Sequence, residues 1–173
     1  MARHQPPPAA QGDARPATAW RPLLVAAAAA LLVAGLGGLA TDIGPWYRGL
    51  RRPSWQPPDW AFGPAWTLIF ALTALAGLRA WRAAPDAAAR RRLIALYAAN
   101  GVLNIFWSLL FFTLKRPGWA LVEVVFLWAS VLALVVASGR HSRPAGWMLL
   151  PYLAWVGFAG VLNWAIVRLN PGS

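Results

Sequence analysis

The sequence predicts an all-α membrane protein: a bundle of five transmembrane helices with a Pro/Trp-rich loop between the first and the second. Three observations predict it. Of 173 residues, 59% are hydrophobic and only 12% charged, against about 25% charged in a soluble domain. Five apolar stretches reach the roughly 17–25 residues that a helix needs to cross a hydrocarbon core. Lysine and arginine fall in the connections between them, and Glu123 is the single acid inside any stretch.

The net charge of +11 would suggest nucleic acid as a partner of a soluble protein. Here the basic residues flank apolar segments, where they act as topology signals and contacts to anionic lipid. No basic face is left for nucleic acid, so membrane lipid is the expected partner. Without cysteine, disulfides, thiolate metal sites and thiol nucleophiles are excluded. The two histidines, His4 and His141, lie in a tail and a loop. No imidazole is therefore available inside the bundle to hold haem iron or relay protons. The reading requires no cofactor and no metal.

Residues 1–21, rich in Pro, Ala and charge, read as a disordered tail, and residues 22–170 as one transmembrane domain. The first span is 23–40, and its Gly35-Leu36-Gly37-Gly38 suits close helix packing in lipid. A cleaved signal peptide is the alternative, although the run is long for a signal core of about 7–15 residues. From Thr41 to Trp60 the chain holds Pro45, Pro53, Pro57 and Pro58, which fix backbone angles and remove donors, so this is a shaped loop. Its Trp46, Tyr47, Trp55 and Trp60 suit a headgroup interface, and Asp59 stands where an N-cap of the second span, 61–80, would be. The third span, 93–114, follows a connection with Arg79, Arg82, Arg90, Arg91 and Arg92. The fourth, 117–138, follows the tight turn Lys115-Arg116-Pro117-Gly118, which makes spans three and four antiparallel neighbours. The fifth is 147–169. Ten of the 16 Lys and Arg residues lie on the side of the N-terminal tail and six on the side of the Trp/Pro loop. The positive-inside rule places the N-terminus in the cytoplasm.

Aromatic and polar residues recur at helical spacing within the spans. Span two offers Phe62, Trp66, Phe70 and Thr73. Span three offers Asn100, Asn104, Trp107 and Phe111, span four Trp119, Glu123, Phe126 and Ser130, and span five Trp155, Ala159 and Asn163. Lipid solvates aliphatic side chains well, so the polar ones should turn inward and meet. Helix-to-helix adhesion through hydrogen bonds of about 0.6 kcal/mol each would explain these stripes, and so would a shared, indole-lined cavity. The tryptophans favour the cavity. Of twelve, Trp66, Trp107, Trp128 and Trp155 lie too deep for interfacial anchoring to explain. Glu123, about two turns into its span, is either a site residue or a packing contact. No carboxylate pair, His-Glu cluster, phosphate loop or Ser-His-Asp set can be assembled, so no catalytic residue is assigned.

Three blocks stand out: Trp46-Tyr47 with Pro53 through Thr67, Asn104 through Phe112, and Pro151 through Trp155 continuing to Leu162-Asn163. In this order and spacing they resemble the TspO/MBR family, the tryptophan-rich sensory proteins of bacteria and the mitochondrial translocator protein. The resemblance runs from about residue 23 to 170. It implies a five-helix bundle, often a homodimer, with a pocket for hydrophobic ligands closed by the first long loop. Porphyrins, cholesterol in animal members, and synthetic isoquinolines and benzodiazepines are the ligand classes it implies. By position the pocket maps to Phe62, Gly63, Ala65, Trp66, Trp119, Phe126, Trp155, Ala159 and Leu162. Animal members carry Tyr after the Asn of the last block; Trp164 stands here, which counts against cholesterol.

The expected function is thus a membrane receptor or carrier that binds a flat ligand, foremost a metal-free porphyrin, with a sensory, regulatory or transport role. The site is expected to comprise the mapped residues together with Trp46, Asn104, Trp107, Glu123 and Asn163, and Arg48, Arg51 and Arg52 are expected to meet anionic groups of the ligand. The alternatives are a light-dependent porphyrin-degrading enzyme and a structural bundle without a small ligand.

Overall fold

The computed structural model describes residues 20–172, so residues 1–19 of the expected tail lie outside the described part. Seven α-helices follow in order: α1 Arg21–Ala40, α2 Pro45–Gly49, α3 Phe62–Ala83, α4 Ala87–Ser108, α5 Pro117–His141, α6 Arg143–Met148 and α7 Leu150–Leu169. A 3-10 turn, Asp59–Ala61, leads into α3, and a π-helical turn, Leu109–Thr113, extends α4. Among the described residues, five helical runs are long and apolar enough to cross a membrane: 21–40, 59–83, 87–113, 117–141 and 143–169. The chain is a multi-pass integral membrane protein.

Boundaries differ from the sequence reading where local chemistry intervenes. Helix α4 starts six residues before the expected span, because the Asp86 carboxylate accepts the Ala89 N–H at 2.7 Å and caps it. Arg90, Arg91 and Arg92 therefore sit on helix. Asp59 is not the cap of the second span. It opens the 3-10 turn, and its carboxylate is taken by Tyr47 and Arg52. The fifth run is broken at Leu149, between α6 and α7. The turn before α5 is tight as expected, with Lys115 at φ 54° and the Arg116 N–H reaching back to the Leu110 carbonyl at 2.9 Å.

The spans form a ring: α1 lies beside α3 and α4, α4 beside α5, α5 beside α6 and α7, and α3 closes against α6. At the end away from the loop, alanines let the helices approach, as Ala76, Ala80, Ala84 and Ala145 pack with Leu93, Leu134 and Leu149. There Gly146 meets α5 so closely that a Cβ on it would stand 3.0 Å from the Gly139 Cα. Helix α5 turns Ala120, Val124, Leu127, Val131, Leu134 and Ser138 inward, a stripe with steps of four and three. The backbone of α3 runs close to α6 but stands off from α7, and large rings, Phe62 and Trp66 against Trp155, bridge the wider gap. Spans two and five thus part toward the loop, and the space between them is left for a cavity.

Candidate functional site: an aromatic chamber under the loop

The cavity has a volume of about 790 Å³. Its walls come from α1, α3, α4 and α7, and the loop roofs it. Helix α1 contributes small residues, Ala27, Ala30, Ala34, Gly37 and Gly38, and the other helices contribute rings. Trp66 stacks on Phe70 with centroids 5.2 Å apart and meets Trp155 edge-on at 6.4 Å. Phe62 meets Trp155 at 5.7 Å, and Trp107 stacks on Phe111 at 5.3 Å. These contacts hold the indoles in fixed orientations.

Behind the wall runs a directional hydrogen-bond chain. The Asn104 amide Nδ2 donates to the Tyr152 hydroxyl at 3.1 Å, which donates to Asn100 Oδ1 at 3.2 Å. Asn100 Nδ2 donates to Ser130 Oγ at 2.8 Å, and Ser130 donates to the Leu127 carbonyl at 2.7 Å. One N–H of each amide and both hydroxyl hydrogens are spent within the chain. The Asn104 Oδ1 is left as an acceptor beside Gly37, and both residues line the chamber. Two further lining residues carry buried polar atoms without a protein partner, the indole Nε1 of Trp107 and Oδ1 of Asn163. Asn163 cannot turn freely, because its Nδ2 donates to the Pro117 carbonyl at 2.9 Å. Buried polar atoms without partners are rare enough in folded proteins to mark a place where a ligand or water completes the set.

Thr41, Tyr47 and Asp59 line the loop end of the chamber. The Tyr47 hydroxyl donates to Asp59 Oδ1 at 3.2 Å and accepts from Gln56 Nε2 at 3.2 Å. Arg52 pairs with the same carboxylate at 3.2 Å, and its guanidinium lies 5.2 Å from the centre of the Tyr47 ring. Burial, and next the charge of Asp59, pushes the Tyr47 phenol above its ordinary range. The far end of the loop is fastened to α7: Asn170 Oδ1 accepts the Arg51 backbone N–H, and its Nδ2 donates to the Arg51 carbonyl, both at 2.9 Å.

Of the expected site residues, the structure brings Phe62, Gly63, Trp66, Asn104, Trp107, Trp155, Ala159, Leu162 and Asn163 together around this cavity. Trp119, Glu123 and Phe126 are elsewhere; of the expected span-four stripe only Ser130 turns toward the other stripes, through its bond with Asn100. Those three line a separate groove of about 780 Å³ between α4 and α5, with Leu103, Phe106 and Arg116. Trp119 and Phe126 are largely exposed there, whereas Glu123 is buried with both carboxylate oxygens lacking a partner. Trp46 packs edge-on against Phe111 at 6.1 Å but does not line the chamber, and neither does Ala65. Trp128 sits against Gly157 and is likewise outside. The loop arginines do not line it either. Arg48 Nε donates to the Ile43 carbonyl at 3.1 Å, Arg51 is held through its backbone, and Arg52 is engaged by Asp59. Sequence reasoning missed the α1 wall and the roles of Tyr47 and Asp59. The small residues of span one were the available signal for the first.

The fold and the chamber define the class: a multi-pass helical membrane protein with an aromatic-walled interior of small-molecule dimensions. The chain belongs to the TspO/MBR family, whose model matches residues 24–169. It is similar to the tryptophan-rich protein TspO of Chlorobaculum tepidum, with 40% identity over 73% of this chain and 80% of the relative. It is 35% identical to the translocator protein of Sus scrofa over 82% of this chain and 88% of the relative. To the tryptophan-rich sensory protein of Cereibacter sphaeroides it is 37% identical, over 72% and 77% of the two chains.

Proposed function

We propose that this chain is a membrane receptor or sensor that binds a flat, largely apolar ligand, foremost a metal-free porphyrin, in the chamber under the loop. One observation carries the reading: a cavity of about 790 Å³ walled by Trp66, Trp107 and Trp155, with a few fixed polar atoms among its apolar lining. Such a space suits a planar ring system that stacks on indole and offers hydrogen bonds at its edge. The orientation of Asn104 selects a ligand that brings an N–H or O–H to that wall. A relative's name, tryptophan-rich sensory protein, supports a sensory role. Anionic substituents would stand at the loop end, where they compete with Asp59 for Arg52.

Titrating purified protein with protoporphyrin IX and following indole fluorescence tests the reading. Trp66→Ala and Trp155→Ala should each weaken binding about two- to tenfold, from the 0.5–1.5 kcal/mol of a ring–ring contact. Trp119→Ala, on the outer groove, should leave binding unchanged. Unquenched fluorescence, or equal effects of all three variants, would overturn the reading. The ring contacts of Trp66 with Trp155 and with Tyr152, at 6.4 and 6.1 Å, favour a second reading in which illuminated bound porphyrin is oxidised by dissolved dioxygen, which takes up the electrons, with these rings relaying charge beside the macrocycle. It predicts a new absorbing product under light that is lost in Trp66→Phe.

A further inference from the structure

The chamber is not sealed by helices on all sides. Along α3, Gly63, Thr67 and Ala71 line the cavity and remain solvent-accessible. They recur every fourth residue and therefore form one strip of the helix. Facing them on α1, Leu31 and Gly38 also line the cavity and are exposed. The two strips border a slit between spans one and two. At 1.5 Å per residue, Leu31 and Ala71 each lie about 14 Å along their helices from the loop end, at hydrocarbon depth rather than at the headgroups. The cavity continues farther, to Ala27 and Ala74, roughly 20 Å from the same end.

The two candidate covers differ in how firmly they are held. The roof is fastened by the two Asn170–Arg51 hydrogen bonds and by the Tyr47–Gln56–Asp59–Arg52 cluster. Tyr47 and Leu50 are buried in the core with Leu162 and Ile166, and Trp55 packs on Phe158. Helix α1, by contrast, buries only Ala40 among its 20 residues. Apart from Leu31, its leucines do not line the cavity and are largely exposed, and the residues it turns toward the cavity are mostly alanine and glycine. Although α1 runs close to α3, no large side chain has to leave a buried site for the two helices to part. In lipid this parting exposes no large apolar surface to water.

We propose that the chamber is loaded sideways from the bilayer through the slit between α1 and α3, with the loop remaining in place as a fixed roof. The substrate class is accordingly a molecule already dissolved among acyl chains, not one captured from water. This inference rests on the ligand reading above and adds the route and the phase from which the ligand comes.

The absence of native cysteine makes the test direct. Leu31→Cys with Ala71→Cys is linked by a reducible bifunctional maleimide, and Arg51→Cys with Asn170→Cys is linked in the same way as a staple of the roof. Each protein is placed in phosphatidylcholine liposomes, protoporphyrin IX is added, and indole quenching is followed in time. Linking the slit should slow association and dissociation together by about tenfold or more, as expected when a required opening is blocked. Reduction of the linker should restore both rates to those of the same double-cysteine protein before linking. Linking the roof should change the rates by less than about twofold. An unslowed slit-linked protein, or a slowed roof-linked one, overturns lateral loading while the ligand reading stands. Unlinked protein that binds no protoporphyrin at equilibrium overturns both.

Discussion

Replacing Tyr152 by Phe removes one oxygen atom from the centre of the bundle, and the consequences can be worked through bond by bond. The hydroxyl accepts from Asn104 and donates to Asn100, so two interhelical hydrogen bonds are lost. At about 0.6 kcal/mol for each such bond in a membrane protein, the loss is about 1.2 kcal/mol. The Asn104 amino group and Asn100 Oδ1, both on buried residues, are then left without that partner, which raises the cost toward about 3 kcal/mol. The ring itself still packs against Trp66, so no cavity opens. A second effect is directional. With the hydroxyl gone, nothing holds the Asn104 amide in the orientation that turns its oxygen to the chamber, and a ligand donor there loses about 1 kcal/mol, roughly fivefold in affinity. Equilibrium unfolding in detergent measures the first effect and protoporphyrin titration the second. Tyr97→Phe is the control: its hydroxyl makes a single bond, 3.0 Å to Ser138, and neither residue lines the chamber. It should cost about 0.6 kcal/mol for the one bond, rising toward about 1.5 kcal/mol with the buried Ser138 hydroxyl left unpaired, about half the figure for Tyr152→Phe, and leave ligand affinity unchanged. If Tyr152→Phe destabilises no more than Tyr97→Phe, or leaves ligand affinity intact, the directional chain is not what orders this wall.

Three further outcomes follow from other parts of the structure. Glu123→Leu should stabilise the protein, by up to about 1–3 kcal/mol, because both carboxylate oxygens are buried without a donor; destabilisation in detergent unfolding would mean that a partner serves this acid. Gly146→Ala should destabilise by about 1–3 kcal/mol through overpacking, since its methyl would press on the backbone of α5 at Gly139 and Val135, and unfolding that is unaltered would show that the two helices can part freely. The Tyr47 phenol is pushed upward in the folded loop, so the folded state favours the protonated form. Its contribution is complete below the ordinary phenol value of about 10 and is lost as pH rises through the raised one; Tyr47→Phe should therefore flatten the alkaline limb of a stability–pH profile, and an unchanged limb would place the titration elsewhere.

The number of spans, the tight turn before α5 and the site stripes of spans two, three and five were legible because each has a physical marker. Polar side chains at Asn104 and Asn163 must face inward in lipid, and the indoles on the same faces, Trp107 one turn from Asn104 and Trp155 about two turns from Asn163, travel with them. Span four carried a misleading marker. Its inner face is Ala120, Val124, Leu127, Val131 and Leu134, aliphatic residues that lipid would solvate equally well, so hydropathy gives no contrast between inside and outside. Trp119 and Phe126 caught the eye and face outward. Span one was opaque for the opposite reason. It contains nothing but small and aliphatic residues, and its part in the chamber comes from the space these leave rather than from any group they supply. The loop hid its chemistry in tertiary pairing, as no local rule joins Tyr47 to Asp59 or Arg51 to Asn170.

The fastening of the loop to α7 has a consequence for how this protein can change over time. Asn170 grips the peptide group of residue 51, oxygen to N–H and nitrogen to carbonyl, and these two bonds use backbone atoms alone. Position 51 is consequently free to drift among any residues that keep an ordinary amide, proline excepted. Position 170 has no such latitude. Aspartate there would set a carboxylate against a carbonyl oxygen, and serine is too short to span both atoms, so one side chain carries the whole fidelity of the joint.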